Sequence, residues 1–174
     1  MKRNLFFAVM FLAVMSVLSA CSVQQRIAHK RHSYMKRAYL GMKDSVNGAD
    51  VSILNDTIKI LFPEDLLFPT GKSELLPSTM PLLERFANVL NKYSNTSILI
   101  NGYTDNTGRK AFNAQLSVDR AKNTGDVLKS FNVNSSRFYY WGRGSVNPVA
   151  NNQTRDGRRK NRRVEFIILY NYVK

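Results

Sequence analysis

The chain of 174 residues is short of the groups on which most chemistry depends. It holds one cysteine, two histidines, one tryptophan and twelve acidic residues, against 26 Lys and Arg. A single cysteine excludes an internal disulfide. His29 and His32 lie in a polar N-terminal stretch where nothing orients them, and no HExxH, serine-centred elbow or Cys-His pair is present. Metal ligands do not cluster, so neither a metal nor any other cofactor is expected. The acids are too few to support a carboxylate pair for glycoside cleavage. These absences argue against an enzyme. No internal repeat is visible, and no series of amphipathic segments of roughly ten residues signals an outer-membrane barrel.

The N-terminus carries the first positive signal. Met1-Lys2-Arg3-Asn4 precedes an uncharged apolar run from Leu5 to Leu18, followed by Ser19-Ala20-Cys21. A short basic region, an apolar stretch and a small-residue exit describe a secretory signal over 1–20. The stretch is shorter than the ~20 residues that span a bilayer comfortably. The run Leu18-Ser19-Ala20-Cys21 resembles the bacterial lipobox, in which the cysteine thiol takes a diacylglycerol and becomes the new N-terminus. An unpaired thiol is a liability in an oxidising compartment, and lipidation consumes it. Two or more acyl chains of the palmitate kind, at about 0.8 kcal/mol per buried methylene, suffice for stable anchoring. Ser22 stands where an aspartate retains some lipoproteins at the inner membrane. The expected location is therefore the outer membrane, with the folded part in the periplasm.

Removal of residues 1–20 leaves 154 residues (174 less 20), enough for one domain and a tether. Without Lys2 and Arg3 the remainder keeps 24 basic against 12 acidic groups, net +12. That charge favours polyanions such as nucleic acid, anionic lipid or an acidic wall polymer. Export argues against nucleic acid. Residues 21–50 are basic and weakly periodic, and are expected to form a tether with a short helical stretch around Tyr34 to Met42. As a coil, such a segment spans roughly 30 Å on average.

The expected domain covers 51–174. Val51 to Phe62 reads as a hairpin turning at Asn55-Asp56. Ser78 is a plausible helix cap, and Leu82, Leu83, Phe86, Val89 and Leu90 follow at helical spacing through Tyr93. A strand over 97–102, a helix over 110–131, a strand over 137–142 and a last strand over 162–170 complete the order. The pattern predicts an α/β two-layer sandwich, with a mixed parallel/antiparallel sheet carrying helices on one face.

On a helical wheel, Phe112, Leu116, Val127 and Phe131 of the second helix form an arc about 100° wide. Asn113 and Arg120 fall near its centre. A guanidinium there needs either an internal carboxylate or a ligand-filled pocket. Asp105, in the Gly102-Tyr103-Thr104-Asp105-Asn106-Thr107-Gly108 loop, is the natural carboxylate, although an Asp before a helix is often only a cap or an Asx-turn.

The run Asn101 to Gly108 resembles a signature of the OmpA-like peptidoglycan-binding family, as do Asn113 to Ala121 and Asn161-Arg162-Arg163-Val164-Glu165. Three motifs in register are more specific than one. The resemblance, over roughly 55–170, implies a fold like the OmpA C-terminal domain and non-covalent binding of the diaminopimelate residue of a peptidoglycan stem peptide. It implies that Asp105 meets the ligand ammonium and Arg120 its carboxylate, with help from Thr107, Asn113 and Arg162. The chain departs from the pattern at Phe68-Pro69, where many members have Asp or Asn after the phenylalanine. A lipid anchor stands in place of a membrane barrel, so the plan resembles the peptidoglycan-associated lipoproteins.

Two other functions compete. The basic run Arg155 to Arg163 would attract phosphate, but it lacks interleaved aromatics for base stacking. The same domain also suits a wall-anchoring subunit of a secretion or motility complex, with the tether as a protein-docking segment.

Overall fold

The structure is a computed structural model that describes residues 2–171, with side chains from Val23 onward. The side chains of the expected signal segment and of Cys21 therefore lie outside the described residues. The chain divides into two compact units, Met1–Tyr34 and Met35–Lys174. In the first, the described backbone is helical, part of α1 (Lys2–Ser45). Among the described residues no helix is long and apolar enough to cross a membrane.

The second unit begins earlier than the expected boundary at residue 51. Met35, Ala38, Met42 and Val46 are buried, a stripe at helical spacing. Gly41 lets this part of α1 approach Val89 and Tyr93, which would stand 3.2 and 3.6 Å from a Cβ there. The stripe is narrow and built on Met and Ala. It is interrupted by Lys36, Arg37 and Lys43, which is why it reads as a basic tether.

After α1 come β1 (Asp50–Leu54) and β2 (Thr57–Pro63), an antiparallel hairpin. Asn55 and Asp56 both have positive φ, as the tight two-residue turn requires. A short helical turn, α2 (Glu64–Leu67), leads through a loop to α3 (Met80–Lys92). The expected cap at Ser78 is replaced by a 3-10 turn over Pro77–Thr79. Then follow β3 (Thr96–Tyr103), α4 (Lys110–Ser130), β4 (Phe138–Gly142), α5 (Arg155–Asn161) and β5 (Arg163–Tyr170). The sheet order is β1-β2-β5-β3-β4, with β3 and β4 parallel and the other neighbours antiparallel.

One face of the sheet makes the core. Ile58, Ile60 and Phe62 of β2, Ile98 and Ile100 of β3, and Phe166 and Ile168 of β5 alternate along their strands and are buried. Phe62, Phe86 of α3 and Phe166 meet with ring centroids 5.3–5.9 Å apart. Arg137 is buried but satisfied, donating to the carbonyls of Leu90, Tyr93 and Thr96 and to the Thr96 hydroxyl. It ties the end of α3 to the start of β3.

Helix α4 packs through a face that keeps Asn113 and Arg120 but is turned away from the Phe112 and Leu116 side of the apolar arc. Its buried residues are Asn113, Ser117, Arg120, Ala121, Thr124, Gly125 and Leu128, while Phe112 is exposed and Leu116 half-buried. The cause is close approach. A Cβ on Gly102 would stand 2.0 Å from the Ser117 carbonyl oxygen, and one on Gly142 would stand 2.7 Å from Ser117 Oγ. A helix this near the sheet needs small residues at the contact, so its buried stripe is not strongly apolar.

Candidate functional site

The β2–β5 ladder ends at Pro63↔Arg163, and the Glu64 amide then donates to the Arg162 carbonyl at 3.0 Å. This brings Glu64, at the start of α2, beside Arg162, just before β5. The Glu64 carboxylate bridges two guanidiniums, with Oε1 accepting from Arg120 Nη2 and Oε2 from Arg162 Nε. Arg162 Nη1 in turn donates to Asp105 Oδ2 at 2.7 Å. Four charges thus form one chain, Arg120–Glu64–Arg162–Asp105.

The two ends of the chain, Arg120 and Asp105, have further partners. Arg120 is buried on α4, donates through Nε to the Lys72 carbonyl at 2.8 Å, and lies over the Phe68 ring at 5.2 Å. Asp105 Oδ1 accepts from the Thr107 amide at 2.9 Å and from its hydroxyl, forming an Asx-turn. It does not cap α4, whose N-cap is Arg109 without a side-chain bond. Asn113 Nδ2 donates to the Thr107 carbonyl at 2.7 Å and fixes this loop to α4. The expected partnership of Asp105 with Arg120 is therefore replaced: the residue that neutralises Arg120 is Glu64, and Asp105 pairs with Arg162.

The electrostatics follow. Burial opposes ionisation of Asp105, but hydrogen bonds from Thr107 and Arg162 outweigh it and hold the carboxyl below its ordinary value. Burial lowers the Arg120 pKa, partly offset by Glu64. Burial works against the Arg162 charge as well, but Asp105 and Glu64 more than compensate and raise its pKa.

Asp105, Thr107, Asn113, Arg120 and Arg162 all border one cavity of about 540 Å³. Glu64 and the α5 arginines Arg155 and Arg158 also border it, and Phe112 and Leu116 form an apolar side. With four arginines against two acids, the lining carries an excess of two positive charges. Sequence reading missed Glu64, because one acid in a loop-like stretch gives no sign of a partner 56 residues away. It also missed α5, although Thr154 is an ordinary cap, accepting from the Gly157 amide at 3.0 Å. The consecutive residues of the Asn161-Arg162-Arg163 motif divide the work. Asn161 accepts from the Val149 and Ala150 amides and holds the preceding loop, and Arg162 serves the cavity. Arg163 is buried over the Tyr103 ring at 3.6 Å.

A mixed five-stranded sheet, helices on one face and a charge-lined cavity beside the 104–108 loop define an α/β module of the OmpA type. The chain belongs to the OmpA family, whose model matches residues 67–162. It is similar to the peptidoglycan-binding protein ArfA of Mycobacterium tuberculosis, 38% identical over 115 residues, covering 66% of this chain and 35% of that protein. It is also similar to the probable lipoprotein YiaD of Escherichia coli, 34% identical over 137 residues, covering 78% and 63%. The chain thus matches about a third of the length of the mycobacterial relative and less than two thirds of the E. coli one. Among solved structures, the cell wall anchor of the T6SS from Pseudomonas aeruginosa superposes with a TM-score of 0.68 at 28% identity, covering 78% and 96%.

Proposed function

We propose that this protein is a non-catalytic lipoprotein, anchored in the outer membrane through Cys21, whose domain binds the diaminopimelate-containing stem peptide of peptidoglycan. The observation that carries the reading is the four-charge chain bordering the cavity. Diaminopimelate offers an ammonium and a carboxylate on one side chain. Its carboxylate competes with Glu64 for Arg120, bidentately, and its ammonium competes with Arg162 for Asp105. Such an exchange replaces internal ion pairs with intermolecular ones, so no buried charge is left unpaired. The excess of arginines suits a stem peptide with more carboxylates than ammonium groups. The name of the mycobacterial relative and the family supports the wall polymer as partner, and the E. coli relative supports the lipid anchor.

Calorimetric titration of the protein with a soluble diaminopimelate stem tripeptide tests this. Binding that falls at least tenfold in Asp105→Asn is expected. Equal binding when lysine replaces diaminopimelate would sink the assignment of the side-chain carboxylate to Arg120. A second reading, the wall anchor of a larger envelope complex, draws on the likeness to the T6SS anchor. It requires partners that co-purify through residues upstream of the folded domain.

A further inference from the structure

At its β4 edge, the face of the sheet turned away from the helices carries exposed aromatic side chains. Phe138 and Tyr140 of β4 turn toward α4, where the Tyr140 ring fills the space left by Gly125. Tyr139 and Trp141 therefore point the other way, and they are 55% and 51% exposed. Their Cα atoms are two residues apart, roughly 6.5–7 Å along the strand. Strand β4 ends the sheet, so no strand of the sheet lies beyond them. Neighbouring exposed aromatics offer a small apolar surface that a ligand can cover.

The Trp141 ring is pre-set. The Arg143 guanidinium lies 4.3 Å from its centroid, and Arg143 Nε is 3.4 Å from Asn101 Oδ1, the side chain of the cross-strand neighbour of Trp141. A cation covers one ring face, and about half of the residue's surface stays open to solvent. Tyr139 stands beside Leu99 in the next ladder row. The result is two exposed rings with a guanidinium at the rim, held by the buried Asn101 amide oxygen.

We propose that Tyr139 and Trp141 form a saccharide platform, on which pyranose rings of the wall glycan stack while Arg143 donates to their hydroxyl or acetamido oxygens. A pyranose presents a face of C–H groups and a rim of polar groups, and this surface is built in the same way. Backbone hydrogen bonds tie the platform to the loop that borders the peptide cavity. The Arg143 amide donates to the Gly102 carbonyl at 2.9 Å, and the Thr104 amide to the Gly144 carbonyl at 2.8 Å. Thr104 borders the cavity next to Asp105. A stem peptide is covalently joined to its sugar, and each extended residue reaches only about 3.3–3.6 Å. A peptide held at Asp105 therefore keeps its glycan near β4. The inference rests on the proposed function for the identity of the polymer, but it uses different residues.

Trp141 is the sole tryptophan of the chain, so its fluorescence reports this site alone. The test is to titrate the purified full chain, in an aliphatic detergent, with a β-1,4-linked N-acetylglucosamine tetramer. A saturable change in Trp141 emission is expected, weakened about fivefold in Tyr139→Ala. By calorimetry, Trp141→Ala should lose the tetramer and keep the stem tripeptide. Asp105→Asn should keep the tetramer whether or not the peptide reading holds, which separates the two failures. The proposal is overturned if emission does not respond at millimolar tetramer, or if Tyr139→Ala and Trp141→Ala bind it as the parent does. It is also overturned if emission shifts with protein concentration alone, since that marks a second copy on the β4 edge.

Discussion

Arg162 donates to Asp105 at 2.7 Å across 57 positions of sequence, and the same guanidinium also reaches Glu64. That double engagement turns two separate acids into one charge chain ending on Arg120. Its consequences are testable without any ligand.

Glu64→Gln leaves the buried Arg120 without a carboxylate. Removing one partner of a buried pair costs about 3–5 kcal/mol, because the remaining charge is stranded. Urea unfolding should show a loss of this size. A loss below about 1 kcal/mol would mean that Arg120 is stabilised by the Lys72 carbonyl and Phe68 alone.

Acid should act through Asp105. Its carboxyl titrates lower in the folded protein than in the unfolded chain, so the stability it contributes is complete above the unfolded value of about 3.9. That contribution is lost as pH falls through the folded value. The stability gap between the parent and Asp105→Asn should therefore be steady above about pH 5 and narrow as pH falls below about 4 in thermal unfolding. A gap that stays constant would contradict the Arg162 and Thr107 contacts as its source.

Gly102→Ala probes the α4–β3 approach. Its Cβ would fall 2.0 Å from the Ser117 carbonyl oxygen, which is backbone and can yield only by moving the helix. A loss of about 2–3 kcal/mol or more is expected. Gly71→Ala meets open space and has only its φ of +71° to resist it, so roughly 1 kcal/mol is expected. Equal costs at the two positions would show that α4 is free to shift away from the sheet.

Met42→Ala tests whether the end of α1 belongs to the folded unit. Met42 is fully buried, and its truncation should cost about 2–5 kcal/mol in urea unfolding. A neutral change would restore the expectation of a tether up to residue 50.

Much of the fold was legible because local signals agreed with it. The Asn55-Asp56 turn, the β-branched runs of β3 and β5 and the Phe86 face of α3 each state their structure within a few residues. Arg120 was legible as an anomaly, a cation on the buried side of its helix. Its partner was not, because Glu64 reaches it only after β2 and β5 pair. The packing face of α4 was hidden for another reason: close contact with Gly102 and Gly142 selects Ser117, Ala121 and Gly125, residues that periodicity does not count as core. The Met35–Val46 stripe was masked by the cations flanking it.

The measurement that bears most directly on the proposed function is co-sedimentation with purified, insoluble peptidoglycan at moderate and high salt. The parent is compared with Asp105→Asn and Arg120→Lys, each first shown to be folded by circular dichroism. Pelleting of the parent that survives high salt, and is lost in both variants, is expected of a stem-peptide site built on these charges. Equal pelleting of all three, released by salt, would contradict it and assign the association to the net charge of +14 on the whole chain.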